Sequence, residues 1–263
     1  MIPELLDQRL AEDISAGALP VAVIATVGTV NTGGLDPLDQ IAAVCERHGV
    51  WLHVDAAYGG PPVLLTDAWP QERAALSRAD SIAIDPHKWL YVPVDAGLVM
   101  FSDMAVVRDT FSYTPDYLRT ATDPDEPVWF SEFGLEQTRP FRALKVWITL
   151  KHLGRQRLGE LISRDIAVAT ALARAVEESP DFELLAHGLS VVCFRHRPAS
   201  VPASTLDEHN QTALSNVQQR GHAFISGTRV DHHFAVRACI INPATTTADT
   251  DALLDEIRAA AAS

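Results

Sequence analysis

The chain has 263 residues, 47% of them hydrophobic, and carries a formal net charge of −13, enough for one large or two modest domains with a real core. So acidic a surface repels phosphate backbones, which excludes nucleic acid as an expected partner. No apolar run approaches the roughly 20 residues that span a bilayer.

Residues 21–27 form a β-branched apolar run ended by Gly28 and read as a strand. Asp36, Pro37, Leu38 and Asp39 then open a helix, with Asp36 as expected N-cap and Pro37 at the first helical position. Leu38, Ile41, Ala42 and Cys45 give that helix one apolar face, and Gly49 stops it. Residues 50–54 are the next strand, which stops at Asp55. A Pro-Pro loop and a short helix near 71–77 lead to strand 81–84, and strand 97–101 follows. Strands alternating with helices indicate an α/β fold with a mostly parallel sheet.

Residues 113–132 hold three prolines and no periodicity, so a long loop is expected there, and loops of this length are usually functional. A long helical region runs from Arg142 to about Glu178 with a break near Gly154. Beyond it, strands 190–194 and 234–241 mix with helices 206–220 and 249–261, which suggests a small α+β domain. The expected division is 1–152 for the sheet-bearing portion and 153–263 for the small domain.

The start, Met1 to Glu4, has no basic segment leading into an apolar one, so a cytoplasmic location is expected. The three cysteines, Cys45, Cys193 and Cys239, lie scattered without CxxC spacing and read as buried thiols, not as a disulfide framework or a zinc site. His222, His232 and His233 lack metal-ligand spacing, and no metal is expected. Trp51 and Trp147 read as core aromatics, and Leu253, Leu254 and Ile257 as packing residues. The glycine-rich stretch 28–34 lacks the lysine of a P-loop and the spacing of a dinucleotide fingerprint.

Ligands of open α/β sheets collect beyond the carboxyl ends of the strands. Three polar features stand at such ends: the stretch from Thr26 to Thr29, then Asp55, then His87 with Lys88. A lysine and a carboxylate at neighbouring strand ends suit a carbonyl cofactor, because the amine condenses with an aldehyde while the carboxylate holds a nearby cation.

Four segments, in order, carry a resemblance: HVDAAYGG (53–60), ADSIAIDPHKW (79–89), TPDYL (114–118) and RPFRALKVW (139–147). Together they resemble the pyridoxal-phosphate-dependent group II amino-acid decarboxylases, with the aromatic-L-amino-acid branch nearest. The resemblance implies the fold-type I, aspartate aminotransferase-like large domain followed by a small α+β domain. It implies decarboxylation of an L-amino acid, an aromatic one by the branch it most resembles, to the amine and carbon dioxide. Lys88 would bind pyridoxal phosphate as a Schiff base, Asp55 would pair with the pyridine nitrogen, and Ala57 would lie against the ring. His87 would help hold the phosphate or the imine region, and Thr29 joins the cofactor-binding positions. Tyr117 would be the loop proton donor; the related aldehyde synthases carry phenylalanine there. Arg237 resembles a position that recognises the substrate carboxylate in glutamate decarboxylases, and Arg139 and Arg142 would bind an anion or make structural salt bridges.

Two departures stand out. Val30 replaces a threonine common in relatives, and Asp85 replaces an asparagine that contacts phosphate in some of them, where an acid is unfavourable unless it points away. Members of the family also carry a comparable length before the point matched by Met1, supplying dimerising helices and most phosphate contacts. The expected partners are a small amino-acid substrate and either a second copy, as a homodimer, or a chain supplying that N-terminal half. An aldehyde synthase, an acidic amino-acid decarboxylase, and an inactive or partner-dependent subunit of such an enzyme remain alternatives.

Overall fold

The structure is a computed structural model that describes residues 1–113 and 129–262. Most of the predicted loop, Tyr117 included, lies outside the described residues. Helix α1 (Pro3–Ser15) is followed by β1 (Ala22–Thr26), α2 (Leu38–His48), β2 (Trp51–Asp55), α3 (Gly60–Leu65), α4 (Pro70–Leu76), β3 (Ser81–Ile84), β4 (Leu98–Phe101) and α5 (Met104–Phe111). Then come α6 (Arg142–Glu178), β5 (Phe182–Gly188), β6 (Val191–His196), α7 (Leu206–Arg220), β7 (Ser226–Val230), β8 (His233–Cys239) and α8 (Thr247–Ala261).

The first sheet has the order β1-β2-β3-β4. β1, β2 and β3 run parallel and β4 closes the edge antiparallel. Side chains alternate across the pleat, so Val23, Ala25, Leu52 and Val54 are buried in one cluster with Leu38, Ile41, Ala42 and Cys45 of α2. Ile24, His53 and Asp55 belong to the other face, which the described residues leave open: Ile24 is 61% exposed. The second sheet has the order β5-β6-β8-β7, is antiparallel throughout, and packs its core against α6, α7 and α8. Leu253, Leu254 and Ile257 sit in that core, as the sequence predicts. A third cluster (Tyr58, Trp89, Ile162, Leu189, Val191, Cys193 and Ala235) joins the two sheets.

Several local expectations hold for physical reasons. Gly49 ends α2 in the left-handed conformation at φ 64°, and Gly154 interrupts α6 at φ 71°, ψ 168°, conformations that glycine enters without a Cβ penalty. Others are corrected. Asp36 does not cap α2: its carboxylate accepts from the Thr26 amide at 2.8 Å and pairs with the Met1 ammonium, while Pro37 occupies the cap position. Pro61 and Pro62 are not in a loop but in the first turn of α3, where missing N–H groups cost nothing. Trp147, expected in the core, is 59% exposed, and Cys239 is only partly buried while Cys45 and Cys193 are buried. No helix among the described residues is long and apolar enough to cross a membrane, and no group of three potential metal ligands forms among them.

Candidate active site

Parallel pairing sets Asp55 in register with Thr26 on one side and Ala83 on the other, so the ends of β1, β2 and β3 lie together. Beyond the strands, a run of hydrogen bonds links two of the predicted features. Asp55 Oδ1 accepts from the Ala57 amide at 3.1 Å, a short aspartate turn. The Ala57 carbonyl accepts from the Asp85 amide at 3.4 Å, and the Asp85 carbonyl from the Lys88 amide at 3.0 Å. Asp85 Oδ2 meets Lys88 Nζ at 2.8 Å, with both side chains close to 30% exposed. Asp55 and Lys88 therefore stand on adjoining turns that share main-chain bonds. Asp55 itself is exposed, and its hydrogen bond uses Oδ1.

His87 is held by its ring: Nδ1 lies 2.8 Å from the Ala96 carbonyl. A carbonyl only accepts, so Nδ1 carries hydrogen and a neutral ring presents Nε2 as an acceptor. That Nε2 is 3.9 Å from Asp85 Oδ2. Trp89, next after Lys88, is wholly buried and packs on Tyr58, ring centroids 5.4 Å apart. It pins the lysine turn to the inter-sheet cluster, which explains an indole directly after an accessible amine. Tyr58 shares a hydrogen bond with Ser190 at 2.6 Å and lies 3.4 Å from Cys239 Sγ; burial pushes its hydroxyl pKa up.

Thr29 lies in a closed turn. Its Oγ1 accepts from the Gly34 amide at 3.0 Å and meets Thr32 Oγ1 at 3.0 Å. Arg237, on β8, reaches this turn: its Nε donates to the Val30 carbonyl at 2.9 Å and to the Asn31 carbonyl at 3.2 Å. Arg142 pairs with Asp95 and Glu136, and Arg139 donates to the Phe130 and Glu136 carbonyls, so structural bonds occupy both. A cavity of about 710 Å³ lies elsewhere, along β7, β8 and α8, with Phe224, Arg237 and Glu256 in its lining.

Three participants escaped the sequence reading: Ala96 as the acceptor for His87, Ser190 as the partner of Tyr58, and Asp85 as the counter-ion of Lys88. Only the last had a local signal, an acid three residues before a lysine. The donor set fits an aldehyde cofactor with a protonated ring nitrogen, because an amine and an exposed carboxylate stand on adjoining turns.

Comparison with known proteins agrees. Residues 1–197 match the pyridoxal-dependent decarboxylase conserved domain. The chain is 34% identical over 259 residues to an aromatic-L-amino-acid decarboxylase of Bacillus atrophaeus, covering 97% of this chain and 54% of that protein. It is 32% identical over 259 residues to a 3,4-dihydroxyphenylacetaldehyde synthase of Aedes aegypti, covering 96% and 47%. Among solved structures, Catharanthus roseus tryptophan decarboxylase in complex with L-tryptophan aligns with a TM-score of 0.90 at 27% identity, over 100% of this chain and 55% of that one. Oryza sativa TDC with PLP and tryptamine aligns at 0.92 and 27% identity, over 100% and 55%.

A mostly parallel sheet with these strand-end turns, followed by a small antiparallel domain, is the fold-type I architecture of pyridoxal phosphate enzymes. Within that class, the chain belongs to the pyridoxal-dependent decarboxylase family. Pyridoxal phosphate is the cofactor that goes with the family. The chain spans about half the length of the curated relatives it matches.

Proposed function

We propose that this chain contributes the lysine-bearing part of an enzyme that decarboxylates an aromatic L-amino acid to its amine and carbon dioxide. The observation that carries the reading is the hydrogen-bonded run from Asp55 through Ala57 and Asp85 to Lys88. When bound, pyridoxal phosphate supplies an electron sink for the bond that releases carbon dioxide. Lys88 would hold it covalently through Nζ, the atom that Asp85 now holds at 2.8 Å. Asp55 would keep the ring nitrogen protonated through a charge-assisted hydrogen bond worth roughly 1.5–3 kcal/mol. Ala57, whose methyl leaves room, would lie against the ring. His87, fixed at Nδ1 by Ala96, would present Nε2 as an acceptor toward the Lys88 bond or, with its ring protonated, donate from Nε2 to the phosphate. Thr29 would border the cofactor at the end of β1. Tyr117 would supply the proton that replaces the departing carboxylate, and the terminal nitrogens of Arg237 would meet the substrate carboxylate. The domain division at 152 and 153 and a shared-site pairing, with a second copy or a chain bearing the N-terminal half, belong to the same reading.

Aromatic substrates are supported by the Bacillus atrophaeus and Catharanthus roseus relatives. The Aedes aegypti relative favours a second outcome, aldehyde production, against which Tyr117 weighs. Pyridoxal phosphate added to the purified chain, or to the complex it forms, should give an absorbance band near the visible. Borohydride should then fix the cofactor to Lys88, and Lys88→Ala should abolish both. Amino-acid turnover by a complex lacking any Lys88 adduct would overturn the reading, and amine against aldehyde in the product separates its two forms.

A further inference from the structure

We infer that Arg237 is a positioning residue: from the second sheet it holds the turn formed by residues 28–34, and so places Thr29 at the end of β1. The turn satisfies much of its own backbone. The amides of Gly28 and Thr29 both donate to the Gly34 carbonyl, at 3.1 and 2.9 Å, and the Gly33 amide donates to the Thr29 carbonyl at 2.8 Å. The carbonyls of Val30 and Asn31 are met from outside. Arg237 Nε bridges them at 2.9 and 3.2 Å, and Cys193 Sγ donates to Asn31 at 3.1 Å. Arg237 and Cys193 are direct cross-strand partners on β8 and β6, so their side chains leave the same face and close on the same peptide.

A third contact fixes how near the two parts come. A Cβ on Gly33, which sits at φ +71°, would lie 2.1 Å from the Gly188 carbonyl oxygen, and one on Gly188 would lie 2.6 Å from the Thr32 carbonyl oxygen. Main chain rests on main chain there, which only two glycines permit. The grip requires a donor of stated reach. The guanidinium spans the two carbonyls with its Nε–H, a lysine offers an ammonium at a different reach and geometry, and a methionine offers no donor. This assignment rests on the reading of the strand ends as the cofactor site; under it, the second sheet sets the first strand's contribution to that site.

The test compares the wild type, Arg237→Met and Arg237→Lys in the complex that binds cofactor and, for the cofactor-independent part, in this chain alone. Hydrogen exchange should rise about ten-fold or more at the 28–34 amides in Arg237→Met, as expected for a lost charged hydrogen bond, with β2 and α2 unchanged. Arg237→Lys should recover part of that protection. Pyridoxal phosphate affinity should fall in Arg237→Met, and affinity for the amine, which has no carboxylate for Arg237 to meet, should fall as well as affinity for the amino acid. Unchanged exchange in the turn overturns the assignment. So does a loss confined to the amino acid, which would make Arg237 a carboxylate receptor only. If the turn loosens but wild type takes up no pyridoxal phosphate, the grip stands and the cofactor reading fails.

Discussion

Tyr58 shows how much one residue near the site carries. Its ring backs Trp89, and its hydroxyl shares a 2.6 Å bond with Ser190, itself fully buried and 132 positions away in sequence. Tyr58→Phe keeps the ring and strands the Ser190 hydroxyl, so folding stability should fall by about 1–3 kcal/mol in urea titrations. Adding Ser190→Ala should return part of that loss; a strictly additive double variant would show that the two hydroxyls do not interact. Asp85 predicts the opposite kind of result. Its bond to Lys88 joins two side chains near 30% exposed, and pairs so exposed contribute only about 0–1 kcal/mol. Asp85→Asn should therefore leave the urea midpoint almost unmoved, and a large drop would mean that Asp85 holds the turn by more than that pair. The motif around Tyr58 was legible in the sequence, but its partner was not, because nothing local marks a serine that closes a contact 132 positions distant.

At the scale of elements, the junction of β6 with α7 gives a pH prediction. Asn210 clamps the β6 end, its Oδ1 accepting from the His196 amide at 2.7 Å and its Nδ2 donating to the His196 and Leu206 carbonyls at 2.9 Å. His196 Nδ1 lies 2.9 Å from His209 Nε2, with Asp181 and Arg258 on its other side. Burial first, and His209 second, lower the His196 pKa from the ordinary 6.5; burial lowers that of His209. Near and below 6.5 the unfolded chain thus binds more protons than the folded one, and stability falls as pH falls. Urea midpoints should drop between pH 7.5 and the low fives, and His209→Gln should flatten the slope; a flat wild-type profile would sink the argument. The helices here were legible because they obey local rules: α7 spans its predicted bounds, and α6 breaks at the expected glycine. β5 and β7 escaped notice because FELLAHG has no β-branched residue and SGTRV is short and holds a glycine, and only pairing with β6 and β8 makes them strands. Helix α1 begins at a proline without a side-chain cap and gave no clear signal either.

For the molecule as a whole, the site was legible to the extent that topology made it so. Three polar features at strand ends needed only the parallel order β1-β2-β3 to converge, and the pairing supplies it. Long-range contacts stayed hidden: the hold of Arg237 on the 28–34 turn joins residues 207 positions apart. Trp147 misled for a related reason. An indole in an apolar helix reads as core, yet it stands 59% exposed on α6, with Phe141 74% exposed nearby in sequence. Together with Ile24 at 61%, these side chains leave apolar surface open on the first sheet and on the first half of α6. Exposed apolar surface of this extent drives association or takes up hydrophobic dyes, while a net charge of −13 opposes self-association by long-range repulsion. Salt screens the repulsion and leaves the apolar term intact. The isolated chain should therefore bind a hydrophobic dye while folded, and its mass in sedimentation should grow with concentration across the micromolar range. Added salt should strengthen the association, and Trp147→Glu with Phe141→Glu should weaken both signals without lowering the urea midpoint. A dye-silent monomer at every salt concentration would mean that these side chains find cover within the chain itself.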